Sequence, residues 1–98
     1  MKTGIELIAA ERERQISKEG WTPEHDDGHT GWELALAAAS YSALAGGINK
    51  RWVEDELWPS EWADCFKPKT GMSNLIRAGA LIAAEIDRLN RLAKPTKG

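Results

Sequence analysis

Glu24, His25, Asp26, Asp27, His29 and Glu33 place six groups able to bind a divalent cation within ten residues. Imidazole and carboxylate together suit a transition metal or magnesium. On a helix His25 and His29 would share one face, four residues apart, but Pro23 and Gly28 favour a loop or a helix entry here. The stretch is not H-E-x-x-H either, because Asp26-Asp27-Gly28 separates the histidines. A structural reading competes. Asp26 or Asp27 would cap a helix starting near Gly28, the histidines would bond the backbone, and Trp21 would plug the core where the first helix ends. Of the three readings a metal site ranks last, so no metal or cofactor is expected. The stretch Gly20–Thr30 is read as a rigid corner whose side chains shape a pocket.

Arginines supply a second kind of chemistry. Arg12 and Arg14 leave the first helix on different faces and Arg77 begins the last one; each can grip a phosphate through its planar fork. Each can equally pair with Glu11, Glu13, Glu85 or Asp87 on a solvated surface. The phosphate reading gains weight if the arginines face tryptophans, because an indole plane beside a guanidinium can stack a base and hold its phosphate. Nucleophilic catalysis has little support. Cys65 lies between Asp64 and Phe66 with no activating base, and neither G-x-S-x-G nor a glycine-rich phosphate loop occurs. The expected ligand contacts are Arg14, Trp21, His25, Asp26, His29 and Arg77, with Trp58 and Trp62 as base platforms. No catalytic residue is assigned.

These residues need helices to position them. Thr3-Gly4-Ile5-Glu6 has the form of a capping box, and Ile5, Ile8, Ala9 and Ile16 recur at helical spacing up to Gly20, a natural left-handed stop. Thr30-Gly31-Trp32-Glu33 repeats the capping pattern ahead of the alanine-rich run 34–45, which Gly46-Gly47 ends. A helix so apolar all round is expected at the centre of the core. Residues 48–71, broken by Pro59, Pro68 and Gly71, predict an irregular, partly helical connection, with one turn capped by Ser60. Its Trp52, Trp58, Trp62 and Phe66 should mostly pack on the helices. A long amphipathic helix from about Met72 to Leu92 follows, with Leu75, Ile82 and Leu89 every seven residues and Ala78-Gly79-Ala80 open to close packing. Residues from about 93 to 98 should fray. The fold class is therefore all-α: one domain of three main helices with a Trp-rich connection before the last.

Composition narrows the function. The chain has 98 residues, 42% hydrophobic and 29% charged, and a net charge of −2. It is too apolar for disorder and lacks the basic excess that duplex nucleic acid requires. No apolar run reaches the roughly 18 residues of a membrane helix, and no signal-peptide pattern opens the chain. With a single cysteine, a reduced cytoplasmic setting is expected. A chain this short leaves much surface exposed, so a homo-oligomer is expected too.

Glu11-x-Glu13-Arg14-Gln15-Ile16, then Glu19-Gly20-Trp21-Thr22-Pro23-Glu24-His25-Asp26-Asp27-x-His29, resembles a family of small phage and prophage proteins. The likeness continues through Glu33-Leu34-Ala35, Ala37-Ala38-Ala39-x-Tyr41, Trp58-Pro59, Lys67-Pro68 and the stretch Arg77–Leu89. The resemblance implies phage origin more than an activity. By analogy with oligomeric phage sponges that sequester nucleotide signals of host defence, it points to a nucleotide-binding protein that does not cleave its ligand. One alternative is a magnesium-dependent pyrophosphohydrolase of MazG-like type. Its E-x-x-E and E-x-x-D helices are not matched by Glu11-Arg12-Glu13-Arg14 or Glu85-Ile86-Asp87. The other alternative is an interaction module for a host protein.

Overall fold

The computed structural model describes residues 1–28 and 32–93, so His29, the cap expected at Thr30 and the tail beyond Ala93 lie outside the described residues. Five α-helices follow one another: α1 (Gly4–Glu19), α2 (Pro23–Asp27), α3 (Glu33–Ala45), α4 (Lys50–Glu56) and α5 (Gly71–Ala93), with a 3₁₀ turn at Ser60–Cys65 between the last two. No strand occurs among the described residues.

The ends of α1 follow from its terminal residues. Thr3 Oγ1 accepts from Glu6 N while Glu6 Oε1 accepts from Thr3 N, so two of the orphan N–H groups at the start are satisfied. Gly20 closes the helix at φ 74°, a conformation glycine takes without steric cost. Two other caps differ from expectation. Thr22 caps α2, with Pro23 at the first helical position, so Asp26 and Asp27 lie inside that helix and Gly28 ends it. Pro59, not Ser60, precedes the 3₁₀ turn, and Ser60 makes no capping bond. At the head of α3, Trp32 holds the cap position at φ 76° without a side-chain cap.

Packing centres on α5, which lies against both α3 and α1. The core joins Leu34, Ala37, Ala38 and Tyr41 of α3 to Ala78, Leu81 and Ala84 of α5, with Trp58 and Trp62 inserted beside them. The Trp-rich connection thus packs on the helices as its composition predicts, although Trp52 on α4 stays half-exposed. At Gly79 a Cβ would lie 2.5 Å from Cδ1 and 2.8 Å from Cγ1 of Ile8, so the missing side chain is what lets α1 approach α5.

Two sequence expectations about faces are corrected. First, α3 is not buried all round: Ala35, Leu36 and Ala39 are exposed and only one side enters the core. Second, α5 buries Asn74, Ala78, Leu81, Ala84, Glu85 and Arg88, while Leu75, Ile82, Ile86 and Leu89 remain 41–56% exposed. Small residues at 78, 80 and 84 permit the closest approach of helix axes, and close approach decides which side faces inward. The molecule is a slab of 49 × 36 × 21 Å, about two helices thick.

Candidate functional site

The corner singled out in the sequence is built by arginines. Asp26 on α2 is fully buried, and its Oδ2 accepts from Arg12 Nη2 at 2.6 Å. Arg12 Nη1 also donates to the carbonyl of Trp21 at 3.1 Å. From the opposite side, Arg91 of α5 donates to Asp27 Oδ1 at 2.7 Å and to the carbonyl of Pro23 at 3.2 Å. One guanidinium from α1 and one from α5 therefore clamp α2. Asp26, expected as a ligand contact, is enclosed by this clamp and has no exposed surface. Among the described residues no three His, Cys, Asp or Glu side chains converge as a metal site.

The same corner orients Trp21 and His25. Their rings stack at 5.9 Å with planes 12° apart, and Trp21 meets Trp62 at 5.6 Å on the core side. Trp58 and Trp62 are only 5% and 9% exposed. Trp58 donates through Nε1 to the Trp62 carbonyl at 2.7 Å and packs on Phe66 and Tyr41. Neither offers an open face, so their assignment as base platforms is corrected: they are the core under Trp21. Burying a large ring removes more surface from water than any other choice, and the indole N–H finds its partner locally.

Arg14, Trp21 and Arg77 do come together. They border one narrow recess of about 20 Å³, floored by Tyr41 and Leu81 and joined by Gln15, Glu19, Cys65 and Lys67. Through Glu11, Arg14 and Arg77 it is continuous with an open cleft of about 440 Å³ between α1 and α5, which adds Lys69 and Ser73. Four cations (Arg14, Lys67, Lys69, Arg77) and two carboxylates (Glu11, Glu19) line the two together, a surplus of +2 in a chain of net charge −2.

The two arginines are held by side-chain bonds, and the backbone that carries the two lysines is pinned. Arg14 takes Glu11 in a fork of two 2.8 Å bonds and also reaches Glu19. Arg77 crosses to the loop before α5, donating to the Lys67 carbonyl at 2.7 Å, and its guanidinium carbon sits 5.7 Å from the Tyr41 ring centre. Asn74, buried in α5, fixes that loop: it accepts from Lys69 N at 2.8 Å and donates to the Lys69 carbonyl at 3.1 Å. Tyr41 Oη accepts from Lys67 N at 3.2 Å. Lys67 and Lys69 are thus presented on a short, pinned segment. The sequence reading missed them, although two lysines around Pro68 directly before a helix are a legible basic pair.

Gln15 is the least expected member. It is 3% exposed, its Nε2 donates weakly to Glu11 at 3.4 Å, and its Oε1 has no hydrogen-bond partner. A buried acceptor without a donor carries a desolvation cost of about 1–3 kcal/mol. A water or a ligand N–H or O–H in the recess would remove it.

Electrostatics follow the same geometry. The hydrogen bond from Arg14, with help from the charges of Arg14 and Arg77, holds the Glu11 carboxyl below its ordinary value of 4.5, against the opposing effect of burial. Glu11 binds its proton more weakly folded than unfolded, so its stabilising contribution is present above the ordinary carboxylate range. It is lost as pH falls through the lowered folded value. Glu11→Gln is therefore expected to lower stability at neutral pH and to leave the acid limit little changed, which flattens the acid side of the profile below about pH 4.5. Urea denaturation at a series of pH values checks this; identical acid slopes in both proteins would contradict it.

Comparison of the chain with protein-family models, with curated proteins and with solved structures finds no match.

Proposed function

We propose that this protein binds and sequesters a small nucleotide-type ligand in the cleft between α1 and α5, without cleaving it. The observation that carries this reading is the convergence of Arg14 and Arg77 with Trp21 and Tyr41 on one positively lined recess. Guanidinium forks suit phosphate oxygens, and an aromatic edge beside them suits a base or ribose. The open cleft is large enough for a phosphorylated small molecule, and Gln15, whose Oε1 lacks a donor, lines the inner recess. Glu11 and Glu19 shield Arg14 in the absence of a ligand, and an entering phosphate replaces Glu19, the more exposed of the two.

Sequestration is favoured over turnover by the state of the carboxylates. Glu11 and Glu19 are both bonded to Arg14, which leaves neither in the condition of a general base. In a phage-encoded setting, the setting that the sequence resembles, such a protein removes a host signal by mass action.

The test is incubation with a panel of mono-, di- and cyclic nucleotides and ADP-ribose derivatives, then denaturation and analysis of what is released. Intact recovered nucleotide supports sequestration, converted nucleotide makes the protein an enzyme, and nothing recovered rejects the proposal. Arg77→Ala should weaken the binding found by about tenfold to a hundredfold, the worth of one charge-assisted hydrogen bond. An unchanged affinity would move the site away from this cleft.

A further inference from the structure

Two buried side chains that line the inner recess have hydrogen-bonding capacity to spare. Gln15 is one. Its Nε2 turns to the Glu11 carboxylate at 3.4 Å. The hydrogen bond from Arg14 holds that carboxyl below its ordinary value, so it is ionised at neutral pH, and the opposite amide orientation would set oxygen against oxygen. The amide oxygen is therefore the free end, buried and without a donor. Tyr41 is the other. Its Oη accepts from Lys67 N at 3.2 Å, and no group among the described residues accepts its own O–H proton. A phenol both donates and accepts, so half of its capacity is unspent.

We infer that the recess receives one neutral hydroxyl of the ligand, a ribose hydroxyl that donates to Gln15 Oε1 and accepts from Tyr41 Oη, so that the site selects ribonucleotides over their deoxy forms. Size sets the first limit. The recess measures about 20 Å³, and roughly 10–15 Å³ admits one water, so a single hydroxyl enters and a ring does not. Hydrogen bonding sets the second. A hydroxyl gives a proton and takes one, whereas the amino group of a base only gives and its carbonyl only takes. Charge sets the third. An ammonium would meet Arg14, Lys67 and Arg77 in the recess, and an anionic oxygen brings no proton for Gln15. Position agrees with all three. Arg14 and Arg77 line both the recess and the open cleft, so a phosphate on their guanidinium groups has its sugar next to the recess and its base in the wider space. A ribose hydroxyl, donor and acceptor at once, is a group by which a protein tells ribose from deoxyribose.

This inference rests on the nucleotide reading of the cleft, and its test separates the two. Calorimetric titration of the full chain with AMP, 2′-deoxy-AMP and 3′-deoxy-AMP should show one deoxy form binding at least about tenfold more weakly than AMP, the loss of one buried hydrogen-bonded group. Gln15→Leu should bring the three ligands within about twofold of one another, and Tyr41→Phe should narrow the gap. Equal binding of all three by the wild type overturns the inference and leaves the nucleotide reading standing, with water alone in the recess. A deoxy penalty undiminished in Gln15→Leu overturns it as well. Failure of AMP to bind also overturns it, and the wider nucleotide panel then decides the reading beneath. Ribose 5-phosphate bound as tightly as AMP, with its 2-deoxy form weaker, supports the hydroxyl recess and overturns the nucleotide reading instead. Should a variant fail to fold, the comparison of ligands on the wild type decides.

Discussion

Asp26→Ala is expected to lose about 3–5 kcal/mol of folding stability, the cost of breaking a buried ion pair by removing one partner. Asp26 is fully enclosed and the Arg12 side chain is 12% exposed, so the guanidinium left behind has little access to water. Arg12 does not relax freely, because its other nitrogen is tied to the Trp21 carbonyl. A domain of this size has a total stability of about 5–15 kcal/mol, so the variant should sit close to its unfolding threshold near body temperature. Asp27→Ala is the control. Asp27 faces Arg91 in the adjacent pair, but it is 51% exposed, and solvent-screened pairs of this kind contribute roughly 0–1 kcal/mol. Denaturant titration of both variants measures the contrast. Equal losses would mean that the corner is held by helix capping and packing, with the buried pair contributing nothing special.

The second large effect concerns Glu85 and Arg88, three residues apart on α5 and both under 10% exposed. Arg88 grips Glu85 through two bonds of 2.7 and 3.0 Å. Arg88→Ala leaves a buried carboxylate unpaired and should cost about 3–5 kcal/mol. The pair itself contributes far less, because both charges were taken out of water to form it. The double variant Glu85→Leu/Arg88→Met, which keeps the volume and discards both charges, is therefore expected within about 1 kcal/mol of the wild type or above it. A double-mutant cycle from urea denaturation separates the terms. A double variant as unstable as Arg88→Ala would show that the pair stabilises the fold in its own right.

Much of this architecture was legible residue by residue. The Thr3/Glu6 box and Gly20 mark α1, Gly46-Gly47 closes α3, and the tryptophans on either side of Pro59 announce a packed connection. These are local signals, set by which backbone groups a side chain can reach within one turn and by the cost of leaving a large ring in water. The convergence of arginines on an aromatic recess was legible only as a condition. That Arg14, Trp21 and Arg77 share a site depends on α1 crossing α5, and no spacing in the chain encodes a crossing. Asp26 shows the same limit from the other side. A carboxylate beside histidines has the chemistry of a ligand until a distant arginine claims it.

What the sequence by itself determined is the three main helices and the class of the fold, because capping, helix propensity and apolar period act over a few residues. Which face of each helix turns inward was decided by the tertiary structure. The heptad row of α5 is the stronger apolar signal, yet Ala78, Ala80 and Ala84 go to the core, where their size lets α1 and α3 approach together. Period selects a face able to be buried; close packing against particular neighbours selects the face that is. The larger side chains Leu75, Ile82, Ile86 and Leu89 are left outward on α5.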